Sequence, residues 1–375
     1  MTHASFARTL RGCLILLAAS LPSTLPGQAA GGRNVILVTL DGVRPEDFFG
    51  GMDSIVSAND SLSGIYKIDR VRADFWRPTA EARRRAVMPF FWDSLAPRGM
   101  VFGNASRGSR VTITNGQGFS APGYQEILTG QAQADVTSND RIRYAHETVL
   151  EYLRRRMRLR QSQVAVFASW ENFREYSASR EDAIFVNAGY DSLPDAFATP
   201  GMKRLAVLQT RGLALWEGSR LDVFTGAMAL EYLRRFQPRV MYVAMNDTDD
   251  LSHIRRYDRV LDALHSLDAF LWELWKTAES LPGYRGRTTL IVTTDHGRGK
   301  TPDDWTDHGA EVPGSENIWV AVIGPFTPDR GEVSDVAELH QASIAGTILG
   351  CLGLNVREWN TTAAAAIPGA CGTAR

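Results

Sequence analysis

The chain reads as an α/β protein with a central, largely parallel β-sheet flanked by helices. Continuous apolar, β-branched runs such as Asn34 to Leu40 (NVILVTL) and Thr289 to Thr294 (TLIVTT) have the character of strands buried on both faces. Between such runs lie stretches of helical period, which is the alternation that builds parallel sheets. Three of the strand candidates also run into Asp or Asp/His at the end where open α/β sheets place their ligands.

Residues 1–30 read as a signal peptide. Arg8 and Arg11 precede the apolar run Cys13 to Leu21, which is too short to span a bilayer, and small residues offer cleavage near Ala29 or Ala30. Cys13 opens the run instead of following it, which argues against a lipid anchor. Residues 31–375 are then read as a single domain, exported to the periplasm or secreted, without a membrane anchor. Removing two arginines and no acid shifts the formal charge from −1 to −3, so charge points to neither nucleic acid nor anionic membrane. In an oxidising compartment Cys351 and Cys371 either pair or remain unrelated thiols.

Taken in order, Asn34 to Leu40 ends at Asp41-Gly42, a carboxylate at the carboxyl end of the first strand, which by itself also suits a turn. Residues 46–98 show a helix over Glu81 to Leu95 and no assignable chemistry. Met100 to Asn104 is a short second strand. In the Gly-rich stretch that follows, Ser120 is a natural N-cap and Pro122 suits the first turn of a helix ending near Gly130. A hydroxyl there faces the positive end of a helix, and with no His or Lys nearby, metal coordination is the alternative means of activating it. His146 to Arg158, with Arg154 to Arg156 as a solvated face, and Leu221 to Phe236 are helices, and Val164 to Ala168 is a strand.

Arg239 to Met245 is a strand that runs into Asp249 and His253. They are four residues apart at the start of a helix extending to about Glu279, so both side chains reach one point. The strand Thr289 to Thr294 leads to Asp295-His296-Gly297, and Asp307-His308-Gly309 follows. Carboxylates and imidazoles at three strand ends make six donors, three for each of two divalent metal ions, zinc first.

These motifs resemble the alkaline phosphatase superfamily, in which an Asp closes the first strand, a Ser or Thr precedes a Pro-containing helix start, and Asp-x-x-x-His, Asp-His-Gly and a final His follow. Ser120-Ala121-Pro122 through Leu128-Thr129-Gly130 is similar to the nucleotide pyrophosphatase/phosphodiesterase branch. The resemblance implies a three-layer alkaline phosphatase-like sandwich. It implies one metal on Asp249, His253 and His308, and another on Asp41, Asp295 and His296 with Ser120 reaching toward it as nucleophile. Asn139 matches an Asn that contacts the phosphoryl oxygen. A small-molecule phosphate ester, hydrolysed through a phosphoseryl intermediate, is the implied substrate. The alternatives are a sulfatase-like ester hydrolase or a catalytically weak phospho-ligand-binding protein. Against formylglycine sulfatases, the Ser-x-Pro-x-Arg motif carries Tyr124 where Arg is needed, and the Asp-Ser-Ala motif of alkaline phosphatases themselves is missing.

Overall fold

A computed structural model describes Met1 and residues 32–212, 214–334 and 336–372. The segment read as a signal peptide lies outside the described residues, apart from Met1. The strands are β1 (Asn34–Leu40), β2 (Gly99–Phe102), β3 (Val111–Thr112), β4 (Val164–Ala168), β5 (Phe185–Ala188), β6 (Val240–Met245), β7 (Thr288–Thr293), β8 (Asn317–Ile318), β9 (Val320–Ile323), β10 (Gly331–Glu332) and β11 (Leu339–His340). The main sheet has the order β10-β2-β9-β7-β1-β6-β4-β5, and β11-β3-β8 form a small second sheet.

From β7 to β5 all neighbours pair in parallel, as the apolar runs predict. The strand β9 is antiparallel to both β7 and β2. After β7 the chain forms no crossover helix and stays at the carboxyl edge, so it re-enters the sheet from the edge at which it left.

Side chains of β1 alternate between two cores. Ile36, Val38 and Leu40 join Met228, Leu233, Leu264 and Leu271, whereas Val35 and Leu37 join Tyr124, Leu128, Leu153 and Ile348. The second core is covered by helices α1 (Ser120–Thr129), α2 (Val149–Arg156) and α6 (Ser343–Cys351), the first by α3 (Asp222–Phe236) and α5 (Tyr257–Ser280). Helix, sheet and helix thus form three layers.

Two expectations need correcting. Asp249 and His253 do not begin the long helix. They occupy a separate short helix, α4 (Asp247–His253), and the chain turns at Arg255 (φ 55°) before α5 starts. The helix expected over 81–95 splits into Ala80–Val87 and a wide turn at Phe91–Leu95. Asp268 of α5 accepts the Phe90 and Phe91 N–H groups, and Val87 O lies 2.9 Å from His265 Nδ1, so the bonds that would continue the helix are taken by α5. The segment 46–98 caps the first core, where Phe48 stacks on Trp319 with ring centroids 3.6 Å apart. Cys351, at the end of α6, is disulfide-bonded to Cys371.

Candidate active site

The strands β7, β1 and β6 are neighbours in register, Thr39 lying opposite both Thr293 and Ala244. Their carboxyl ends are therefore level, and the residues two beyond Thr39 and Thr293 are Asp41 and Asp295. Asp41, Asp295 and His296 form an inner triad whose donor atoms lie within 4.8 Å of one another. All three are buried. His296 Nε2 is 3.3 Å from Asp41 Oδ1 and 3.5 Å from Asp295 Oδ2.

The other atom of each group is already occupied. Tyr124 OH donates to Asp41 Oδ2 (2.7 Å), Gly42 N–H donates to Asp295 Oδ1 (3.0 Å), and His296 Nδ1 lies 2.8 Å from Gly297 O. The remaining oxygens, Asp41 Oδ1 and Asp295 Oδ2, are buried with no hydrogen-bond partner. Two orphaned carboxylate oxygens and the imidazole Nε2 directed at one point suit a divalent cation, with tyrosine and backbone fixing the orientation of each donor.

The outer triad is Asp249, His253 and His308, also within 4.8 Å. On α4 the i,i+4 spacing brings His253 Nε2 to 3.2 Å from Asp249 Oδ2, and the loop after β7 brings His308 Nε2 to 3.1 Å from His253 Nε2. Its character is different: the His253 side chain is 44% exposed.

Proton affinities separate the two triads. Burial, reinforced by the Asp41 carboxylate, pushes Asp295 up to about 8. Burial alone would lower His296, yet Asp295 and Asp41 outweigh it and raise it to about 9. The inner triad thus holds protons where positive charge is wanted. In the outer triad, burial and the neighbouring His296 and Arg298 push His308 far below the ordinary imidazole range, and burial lowers His253, so both rings are neutral at pH 7.

Ser120 corrects one expectation. It is the first residue of α1, not its N-cap, which is Phe119, and its hydroxyl makes no capping bond. Oγ lies 3.4 Å from His296 Nε2, beside the inner triad. The Ala121 N–H at that helix start donates to Asn139 Oδ1 (2.9 Å), so the structure seats Asn139 next to Ser120. Glu126 of α1 accepts from the Thr114, Asn115 and Ala342 N–H groups and fixes the Gly-rich approach to the serine. Close packing continues on the far side, since a Cβ on Gly123 would fall 2.4 Å from Asp295 O.

Sequence reasoning missed Tyr124 and Arg298. Tyr124 lies four residues after Ser120, on the same helix face, which is the signal that could have revealed it. Arg298, two residues after His296, is buried and bonded to Asp249.

A family model described as type I phosphodiesterase / nucleotide pyrophosphatase matches residues 69–348. The chain belongs to that family. It is thereby a member of the alkaline phosphatase superfamily of hydrolases. The match includes Ser120, Asn139, Asp249, His253, Asp295, His296 and His308, whereas Asp41 precedes it and enters the site through the place of β1 between β6 and β7. No curated protein matches the sequence.

This phosphodiesterase-family fold recurs in solved structures. A Bacteroides thetaiotaomicron VPI-5482 protein assigned to the sulfatases has a TM-score of 0.54 at 10% identity, over 90% of this chain and 74% of its own. The lipoteichoic acid synthase LtaP from Listeria monocytogenes has a TM-score of 0.50 at 12% identity, over 87% of this chain and 73% of its own. At such identities the likeness is one of fold. Among the described residues of this phosphodiesterase-family chain, no helix is long and apolar enough to cross a membrane.

Proposed function

We propose that the protein is an exported hydrolase of small-molecule phosphate esters that holds two divalent metal ions, most readily zinc, and works through a covalent phosphoseryl intermediate on Ser120. The observation that carries this reading is the Ser120 hydroxyl, free of any capping bond and 3.4 Å from His296 Nε2 at the edge of the inner triad. Asp41, Asp295 and His296 would hold one ion, and Asp249, His253 and His308 the other. When bound, such ions lower the pKa of a nearby hydroxyl and offset charge on the phosphoryl oxygens.

The chain's own groups do the rest. Ser120 Oγ, its proton lost to solvent, attacks phosphorus as the bond to the ester's alcohol breaks and the leaving oxygen takes up a proton, which links the phosphoryl group covalently to the serine. Water then cleaves the bond between Oγ and phosphorus, releasing phosphate from a monoester or the remaining monoester from a diester, and restores the hydroxyl. The start of α1 directs its positive end at the phosphoryl group, and Asn139, held beside Ser120 by the Ala121 N–H, orients that group. The Gly-rich approach is fixed by Glu126 before substrate arrives, so little ordering is left for binding.

The sulfatase-like reading is disfavoured by one specific contact: Tyr124 stands where the formylglycine motif needs Arg, and it is already bonded to Asp41. A weak phospho-ligand binder would keep the triads without turnover. Assaying metal-loaded protein against chromogenic phosphate monoester, diester and sulfate ester, then mapping phosphate on denatured peptides, tests all three. A phosphoryl group on Ser120, carrying its remaining ester when the substrate is a diester, is expected; label on another residue, or sulfate ester as the best substrate, rejects the proposal. Export is read from the amino-terminal pattern and the single domain over 31–375 from the resemblance, and mature protein should begin near residues 30–32 by amino-terminal sequencing.

A further inference from the structure

Arg298 has no part in the reading above, yet it is a buried cation bonded to the outer-triad carboxylate. Its side chain is 1% exposed. Nη2 bonds Asp249 Oδ1 and lies 3.5 Å from Asp249 O, and Nη1 donates to Thr306 O. Nε is buried without a hydrogen-bond partner. The Asp41-Gly42 turn makes room for this pair: Gly42 has φ 62°, and a Cβ there would fall 2.8 Å from Arg298 Nε and 2.9 Å from Asp249 Oδ1.

These contacts bear on two of the three outer ligands. Asp249 Oδ1, the oxygen that Arg298 holds, is 3.8 Å from His308 Nε2 and 3.9 Å from His296 Nε2, so it looks between the triads. Oδ2 is the oxygen beside His253. Thr306, whose carbonyl the other arm holds, lies two residues before His308, and Arg255 Nη2 donates to its hydroxyl at 3.4 Å. The inner ligands have a separate source of order, namely the ends of β1 and β7.

We infer that Arg298 is a positioning residue for the outer metal site, an inference that rests on the two-metal reading. One arm of the guanidinium occupies Asp249 Oδ1, so the carboxylate presents only Oδ2 to an outer cation. The other arm fixes the Thr306 carbonyl, so the loop delivers His308 to the same point. A planar fork with donors at fixed separation serves two acceptors at once, which an ammonium point charge does not. The positive charge also offsets Asp249, so an outer ion would keep more of its own charge for the leaving oxygen than an inner ion held by two carboxylates. A buried arginine with only a structural role would, when removed, weaken both sites together.

The test uses the mature protein, chelated and titrated with cobalt(II), with the d–d absorption read for each site. His308→Ala identifies which spectral phase is the outer one. Arg298→Met should weaken outer-site affinity about 10- to 100-fold, the usual cost of losing an outer-shell partner, and should leave the inner phase in place. In Arg298→Ala, guanidinium at non-denaturing concentration should restore the outer phase more than methylammonium does. Should the Met and Ala variants not fold, Arg298→Lys carries the test, because it keeps the charge and loses the fork: a reduced outer affinity supports the inference, and wild-type affinity overturns it. Unchanged outer affinity in Arg298→Met, or a parallel loss at both sites, also overturns it. Wild-type protein that binds one cobalt ion rejects the two-metal reading and this inference with it, whereas two ions bound at unchanged affinity in Arg298→Met reject the role of Arg298 alone.

Discussion

The inner and outer triads are built from the same residue types and differ in what supports them. Asp41 and Asp295 follow closely on β1 and β7, strands each paired on both sides within the sheet, and every inner donor has its second atom tied to a tyrosine or to backbone. The outer donors sit on a two-turn helix and a loop, and His253 is half exposed. Burial among strand ends yields a site of fixed geometry with two carboxylates that retains protons while no ion is bound. A helix and a loop yield an accessible site with one carboxylate and two neutral imidazoles. The nucleophile candidate lies beside the first.

The strongest way to break this contrast is to remove the group that depends on the inner site. Ser120→Ala should reduce turnover by several orders of magnitude while both metal ions are retained in elemental analysis. Because the hydroxyl caps nothing, stability should change by less than the roughly 1 kcal/mol that a lost cap costs. Near wild-type turnover with both ions bound would show that Ser120 is not the nucleophile.

Removing single ligands should sharpen the contrast. His308→Ala should strip chiefly the outer ion, leaving about one per chain. Asp295→Ala should strip the inner ion and also destabilise the protein, since it opens a space at a fully buried position beside Asp41. Equal effects of the two substitutions on melting temperature and metal content would erase the distinction. A smaller change is expected from Tyr124→Phe, which frees Asp41 Oδ2. Inner-site affinity should fall about tenfold, with the outer site unaffected, in a competition titration with a chromophoric chelator.

The smallest signal is in protons. In chelated protein Asp295 and His296 bind protons more tightly when folded, so their stabilisation is full below their ordinary 3.8 and 6.5 and is lost as pH rises through about 8 and 9. His253 and His308 are depressed, so their stabilisation is present above 6.5 and is lost as pH falls. The metal-free melting temperature should therefore decline on both sides, Asp295→Asn flattening the alkaline limb and His308→Ala the acid limb. At pH 7, filling the inner site should release at least one proton and the outer site almost none. Calorimetry in buffers of different ionisation enthalpy reads this directly, and equal release from both sites would refute the assignment of charge.

What was legible in the sequence follows from how local each signal is. The strands β1, β4, β6 and β7 were visible because a strand buried on both faces is apolar throughout, and the segments that follow β1, β6 and β7 offered the six candidate donors. Ser120 was misread by one position: a serine at the first helical residue and a serine at the N-cap look alike in sequence but direct their hydroxyls differently. The separation of α4 from α5 depends on a left-handed turn at Arg255, a residue with no intrinsic preference for it. The organisation of 46–98 was not legible because its partners, Asp268 and Trp319, are more than 170 residues away. Arg298 carried no signal, because its meaning depends on α4 and the Asp41-Gly42 turn meeting it in space.

The place of β1 in the sheet also sets an order in time. Its neighbours are β6 and β7, and Val35 pairs with Val240 on one side and Thr289 on the other. This strand therefore waits for more than two hundred further residues before either edge is covered, and such non-local pairing folds slowly. Over that interval NVILVTL is an uncharged, β-branched window with both edges open, the kind of segment that self-associates. The inner triad cannot exist until β7 has docked. Metal capture at that triad would accordingly follow the docking of β7, and a chain crossing a membrane unfolded would carry no ions with it.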